Sequence, residues 1–174
     1  VAVYEADRAH FPAPPLPELT AVDLPPAPAE CSTDVDEALA LRALATTWLT
    51  ESNGRAHAVG VQGGALKAIA ALGAIRGRAA EISSSDALAR MAWTGASGGA
   101  EGRRRGMAWG RFVAWECAAV LAGVEMDELG EVLDDLRWFV WDAFEPEQGW
   151  TLRLAVEDQD NDCAWAVEAT DRAD

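Results

Sequence analysis

Residues 137–158, RWFVWDAFEPEQGWTLRLAVED, decide the fold. Aromatic and branched side chains crowd the two halves and the apolar positions recur with a period of two, the pattern of strands rather than helices. The stretch predicts an antiparallel hairpin: a strand over 137–144, a turn at Glu145-Pro146-Glu147-Gln148, and a second strand over 149–158. Trp165, Val167 and Ala169 then alternate within 163–170, which reads either as a third strand or as a terminal helix.

Upstream of the hairpin the period changes to that of helices. Over 103–124, Met107, Trp109, Phe112, Val113, Cys117 and Val120 wrap most of a helical circumference, so this segment predicts a long, central, buried helix. Arg111 and Glu116 interrupt it, and its apolar run falls short of the ~20 residues a membrane span needs. Gly106-x-x-x-Gly110 is expected to let a neighbouring helix approach closely. A short acidic helix is expected over 126–136. Ser83-x-x-Asp86 has the form of a capping box and opens a helix through Leu88, Met91, Ala92 and Trp93, after which GASGGAEG at 95–102 reads as a loop.

Nearer the N-terminus, Thr33-x-x-Asp36 predicts a capped helix over 34–51, on which Val35, Leu39, Leu41, Leu44, Trp48 and Leu49 recur at helical spacing. Residues 55–62 read as a short strand around Val59 and Val61, 65–73 as a helix stopped by Gly73, and 76–82 as an ambiguous, brief extended segment. Seven of the eight prolines fall within 12–28, so residues 1–31 read as a proline-rich arm or linker, with Phe11, Leu16, Leu19 and Leu24 available to pin it. The expected fold is α+β: a helical layer with a long buried central helix, packed on a small, mostly antiparallel sheet, in a single domain over 32–174 behind the arm.

Composition bounds the chemistry. A chain of 174 residues suits one domain that buries roughly 70% of its unfolded surface. A formal charge of −15 opposes a phosphate backbone or an anionic membrane and favours a basic protein partner, so neither nucleic acid nor membrane is expected. Three cysteines without a C-x-x-C pair fit neither a disulfide framework nor a zinc knuckle, which points to a reducing cytoplasm. Residues 1–20 carry charges and no apolar core, so no secretory signal is expected there.

Gly95-Ala96-Ser97-Gly98-Gly99 matches the G-x-S-x-G of a nucleophile elbow, but no strand precedes it and both histidines, His10 and His57, lie upstream. No catalytic residue is assigned. The same loop read as an anion cradle offers Ser97 with Arg103, Arg104 and Arg105 at a helix start, where free N–H groups favour phosphate or carboxylate. It lacks the phosphate-loop and dinucleotide-loop spacings, so no cofactor is expected. Residues 76–111 hold seven arginines and three acids while 125–174 hold sixteen acids and three arginines, so the loop arginines are expected to dock on Asp134, Asp135 or the hairpin turn.

Asp158-x-Asp160-x-Asp162 has the spacing of the first half of a calcium loop, but Cys163 stands where the glycine and Ala169 where the bidentate glutamate should be, and no metal site is expected. Neither histidine has a metal-ligand cluster around it. Glu116 and Arg111, on the helix expected to be buried, form a candidate buried charged pair.

Taken together, NGRA at 53–56, ALKAIAALG at 65–73, GASGGAEGRRRG at 95–106, GRF at 110–112, DLRW at 135–138, GWTLRLAVED at 149–158 and AWAVEATD at 164–171 carry a likeness. Over roughly 35–174 the chain resembles a domain family of unknown function found in actinomycete-type, high-GC bacteria. The resemblance implies that the segment from Arg103 to Arg111 and the C-terminal hairpin belong together, and it carries over no catalytic residue. The expected function is a non-enzymatic intracellular interaction or accessory protein, inhibitor- or immunity-like, using an acidic C-terminal surface. The alternative is a small-molecule or anion binder, enzymatic or not, with its site at residues 95–105 and Glu116.

Overall fold

The computed structural model describes residues 12–145 and 149–173, together with the backbone of β1 (Val3–Tyr4) and β2 (Ala9–His10), which pair antiparallel. Phe11, the side chain of His10 and the turn residues Pro146, Glu147 and Gln148 lie outside the described residues.

The hairpin forms as the period-two pattern requires. β6 (Arg137–Asp142) and β7 (Trp150–Asp158) pair from Arg137↔Glu157 to Val140↔Leu154. Residues 163–171 are a strand, β8 (Cys163–Asp171), paired along its length with β7 and on its other side with β4 (Arg55–Gln62). The ambiguity of this segment has a physical cause: both faces are covered, so Trp165, Val167 and Ala169 are buried on one and Ala164 and Ala166 on the other, and the alternation is apolar against apolar. β5 (Gly77–Ile82) joins β6, and β3 (Thr20–Val22), supplied by the arm, joins β5. The result is a six-stranded antiparallel sheet in the order β3-β5-β6-β7-β8-β4.

Among the described residues, six α-helices complete an α+β architecture, as the sequence predicts: α1 (Asp36–Ala43), α2 (Thr46–Glu51), α3 (Ala65–Ala71), α4 (Ser84–Ser97), α5 (Met107–Ala122) and α6 (Leu129–Val132). Helix α3 covers one face of the sheet, with Ile69 set among Ala79, Trp141, Ala155 and Ala166. Helices α1 and α4 cover the other, over a cross-strand row of Trp138, Val156, Trp165 and Gly60. Gly60 belongs in that row because a Cβ there would stand 3.0 Å from the Trp165 ring. No helix among the described residues is long and apolar enough to cross a membrane.

Two local expectations need correction. The helix expected over 34–51 breaks between Ala43 and Thr46, where the Thr46 hydroxyl donates to the Ala43 carbonyl at 2.6 Å and offers the backbone an alternative to continued helix. The Thr33-x-x-Asp36 box does not form; Val35 is the N-cap, because Ser32 is tied in extended form to Gly60. By contrast Ser83 does cap α4, its hydroxyl accepting from the Asp86 N–H at 3.1 Å.

The larger correction concerns α5, the helix expected to be the buried centre. It packs mainly on α4, α1 and α6 and forms an outer layer. Gly110, Ala114, Cys117, Ala118 and Leu121 are buried, while Trp109, Phe112 and Trp115 are 50%, 45% and 37% exposed. Its apolar circumference therefore serves two surfaces, one internal and one open to solvent. The close approach to α4 is made by Gly110 against Gly95, where an added Cβ on Gly95 would lie 3.5 Å from the Gly110 Cα; Gly106, left-handed at φ +84, has nothing within 4 Å of its Cβ position.

Ion pairs tie neighbouring strands of the sheet together. Arg137 bonds Glu81 at 2.7 Å and Glu157 at 3.3 Å, and Arg153 bonds Glu168 at 2.7 Å and Glu145 at 3.1 Å. Burial pushes the Asp142 carboxyl up, but the Arg78 guanidinium at 2.5 Å and the Phe144 N–H at 3.0 Å more than offset this and hold it below its ordinary value. A hydrogen bond from Arg137 lowers Glu81 in the same way. A carboxyl whose folded-state pKa is depressed contributes stability that is present above its unfolded value and lost as pH falls through the folded one. The urea midpoint is accordingly expected to fall as pH drops below about 4, the unfolded carboxylate range, and to fall less steeply in Asp142→Asn. Parallel pH profiles for the two proteins would remove Asp142 from this account.

Candidate functional site

The structure separates the residues that sequence spacing groups together. Ser97 is no nucleophile on a loop: 95–97 are the last residues of α4, and the buried Ser97 hydroxyl accepts from Trp48 Nε1 at 3.0 Å and donates to the Thr94 carbonyl at 3.3 Å. The chain leaves α4 through Gly98 and Gly99, both left-handed, with φ of 81° and 71°. Asp171, at the end of β8, holds this exit. Its buried carboxylate accepts from the Ala100 N–H at 2.7 Å and from the Ser52 hydroxyl at 3.1 Å. Ala100 of the Gly/Arg loop is thus tied to β8 through the Asp171 carboxylate, a contact that involves neither residues 103–111 nor the β6–β7 hairpin, which the resemblance implied would belong together.

Arg103, Arg104 and Arg105 are exposed and precede α5 instead of forming its first turn. The docking expected on Asp134, Asp135 or the hairpin turn is replaced by docking on α2: Arg105 pairs with Glu51, and the Arg103 N–H donates to the same carboxylate at 2.9 Å. Asp134 instead accepts from Ser84 at 2.6 Å. Arg111 and Glu116 are exposed, not buried, and lie on different sides of α5. The half calcium motif is a turn in which Asp158 accepts from the Asn161 backbone and side chain at 3.0 and 2.7 Å. His57 is exposed on β4, and no group of three His, Cys, Asp or Glu among the described residues is placed to hold a metal. The Cys117 thiol, buried in α5, is pushed well above its ordinary value by desolvation and then by Glu116, which makes it a poor nucleophile.

The outer face of α5 offers a different kind of candidate. Trp109, Phe112 and Trp115 form a ridge, with the Trp109 and Phe112 rings 5.7 Å apart and Trp115 Nε1 bonded to the Met126 carbonyl at 3.2 Å, so that Met126 extends the apolar surface. A groove runs along each side. One, of about 580 Å³, lies against the α1–α2 corner and is lined by Thr46, Thr47, Arg105, Trp109 and Glu116; the other, of about 660 Å³, lies against α4 and is lined by Leu88, Ala92, Arg111, Phe112 and Trp115. Two of the expected residues, Arg105 and Glu116, thus share a groove, but Arg105 is already engaged by Glu51. A further cavity between the arm, Trp93 and Trp141 holds only about 50 Å³, water-sized rather than substrate-sized.

Sequence reading misses the ridge because hydrophobicity alone does not tell a core from an interface. The signal that could have found it lies in the two charges. Arg111 and Glu116 mark the solvent side of α5, and Phe112 and Trp115 stand beside them in sequence, on the exposed rather than the buried arc. Continuous with the ridge, residues 125–135 carry six acids and no basic residue.

Comparison with curated proteins and with solved structures gives no match. A model for a family of unknown function, DUF6183, matches residues 4–173; the chain, arm included, belongs to that family.

Proposed function

We propose that this chain is a non-enzymatic interaction or accessory module, of an inhibitor- or immunity-like kind, whose contact surface is the α5 ridge with its acidic shoulder. The exposed Trp109, Phe112, Trp115 and Met126 carry the reading: four large apolar side chains in one stripe, three of them aromatic, are the composition of an interface core. The acids of 125–135 supply the polar rim and favour a partner with basic groups there. The acidic C-terminal strands serve less well, since Glu157, Glu168, Glu145 and Asp142 are spent on Arg137, Arg153 and Arg78. The net charge of −15 supports a protein partner over nucleic acid, and three free cysteines support a reducing cytoplasm as its setting; an actinomycete-type bacterial source rests on the sequence resemblance alone.

A photoreactive amino acid in place of Phe112 tests this, with the same group at Ile75, which is 91% exposed and stands off the ridge, as control. A protein adduct at 112, lost when Glu125, Asp127 and Glu128 are reversed to arginine, is expected. Equal labelling at 75 and 112, or none at 112, would refute the reading. The competing anion-binding role for residues 95–105 predicts instead that phosphate raises the melting temperature and that Arg103→Ala/Arg104→Ala abolishes the rise.

A further inference from the structure

We infer that the partner seated on the α5 ridge is a second copy of this chain, paired antiparallel about a two-fold axis near Phe112. The inference rests on the reading of the ridge as a contact surface and names its occupant. At about 100° per residue, Ala108, Trp109, Trp115 and Glu116 all fall within about 60° of Phe112, so these five define one stripe. A two-fold axis across that stripe makes every contact reciprocal. With Phe112 at the axis, Ala108 faces the Trp115 of the other copy, and Trp109 faces its Glu116. The smallest residue of the stripe therefore meets a large one, and the grooves beside the ridge leave room for the indoles to lie down.

Charge selects this orientation. Residues 103–111 carry four arginines and no acid, although Arg105 is held by Glu51 and Arg111 lies on the flank, and residues 116–128 carry four acids and no basic residue. One end of the stripe is positive and the other negative, so a parallel pairing sets like ends together, whereas an antiparallel pairing sets Arg103 and Arg104 against Glu125, Asp127 and Glu128. An apolar stripe with opposite charge at its two ends fits its own copy. Arg111, about 100° round from Phe112, stays at the solvated flank. The net charge of −15 on each chain opposes association, but at about 0.15 M salt the screening length is about 8 Å, which confines electrostatics to groups that face each other.

Sedimentation equilibrium of the full chain at that ionic strength is the test, with one chain at 18.5 kDa. The expected mass is twice that value, falling to a single chain in Phe112→Glu with circular dichroism unchanged. Arg103→Glu/Arg104→Glu and Glu125→Arg/Asp127→Arg/Glu128→Arg are each expected to be monomeric, and an equimolar mixture of the two is expected to recover the doubled mass. A single-chain mass for the wild type at about 100 μM, a dimer indifferent to Phe112→Glu, or a mixture that stays monomeric overturns the proposal. A monomer whose residue-112 photoreactive group still captures another protein overturns the second copy and spares the ridge; a monomer that captures nothing overturns both.

Discussion

Replacing Trp48 with alanine is expected to remove about 3–5 kcal/mol of stability, the cost of a large cavity in a packed interior. Trp48 is fully buried on α2, packs edge-on against Trp93 with ring centroids 5.8 Å apart, and donates its indole N–H to Ser97. Truncation empties that volume and leaves the Ser97 hydroxyl without the donor it accepts from. A loss of this size is a large share of the roughly 5–15 kcal/mol that holds a typical domain folded. Urea unfolding followed by far-UV dichroism measures it. Ser97→Ala, which removes one hydrogen-bond partner and little volume, should cost only about 1–3 kcal/mol. If the two substitutions destabilised equally, Trp48 would not be the anchor of the α2–α4 contact.

Gly110→Ala is expected to cost about 3 kcal/mol, at the upper end of ordinary overpacking. Its Cβ would stand 2.1 Å from the Ala92 carbonyl oxygen and 2.8 Å from the Ala96 Cβ, so α5 must lift away from α4. The direction is informative, because alanine is otherwise the better helix former by about 1 kcal/mol. A more stable Gly110→Ala protein would mean that the helices do not touch there. The backbone oxygen has no room to yield, so Gly110→Ser should be at least as damaging.

The sheet is legible where one local rule suffices. RWFVWD and WTLRLAVED announce strands by period and composition, and Ser83 announces a cap by its spacing to Asp86. Sequence reading fails where a distant residue decides. Thr33 loses its capping role to the Ser32–Gly60 pairing, while the break after Ala43 is a local exception, set by the Thr46 hydroxyl three residues on, that apolar spacing alone does not show. Glu51 and Asp171 are invisible as anchors of the Gly/Arg loop because they lie about 50 and 70 residues from it in sequence, and a carboxylate in a polar tail gives no sign that it will be buried.

The site is legible only in pieces. Arg105, Arg111 and Glu116 stand out in the sequence and all three line the α5 grooves, but not in the roles their spacing suggests, those of an anion cradle and a buried pair. The aromatic residues between them read as core. A helix with apolar residues around most of its circumference is compatible with burial by its own chain and with burial by a partner, and only the packing of α4 and α1 on one side of it separates the two.

Hydroxyl-radical footprinting of the Phe112→Glu variant, in which no second copy covers the ridge, bears most directly on the exposed face of α5. Rapid oxidation of Trp109 and Trp115 is expected, with slow oxidation of Trp48 and Trp138, which are 0% and 1% exposed. Oxidation of Trp109 and Trp115 as slow as that of Trp48 would return α5 to the interior and contradict the proposed contact surface.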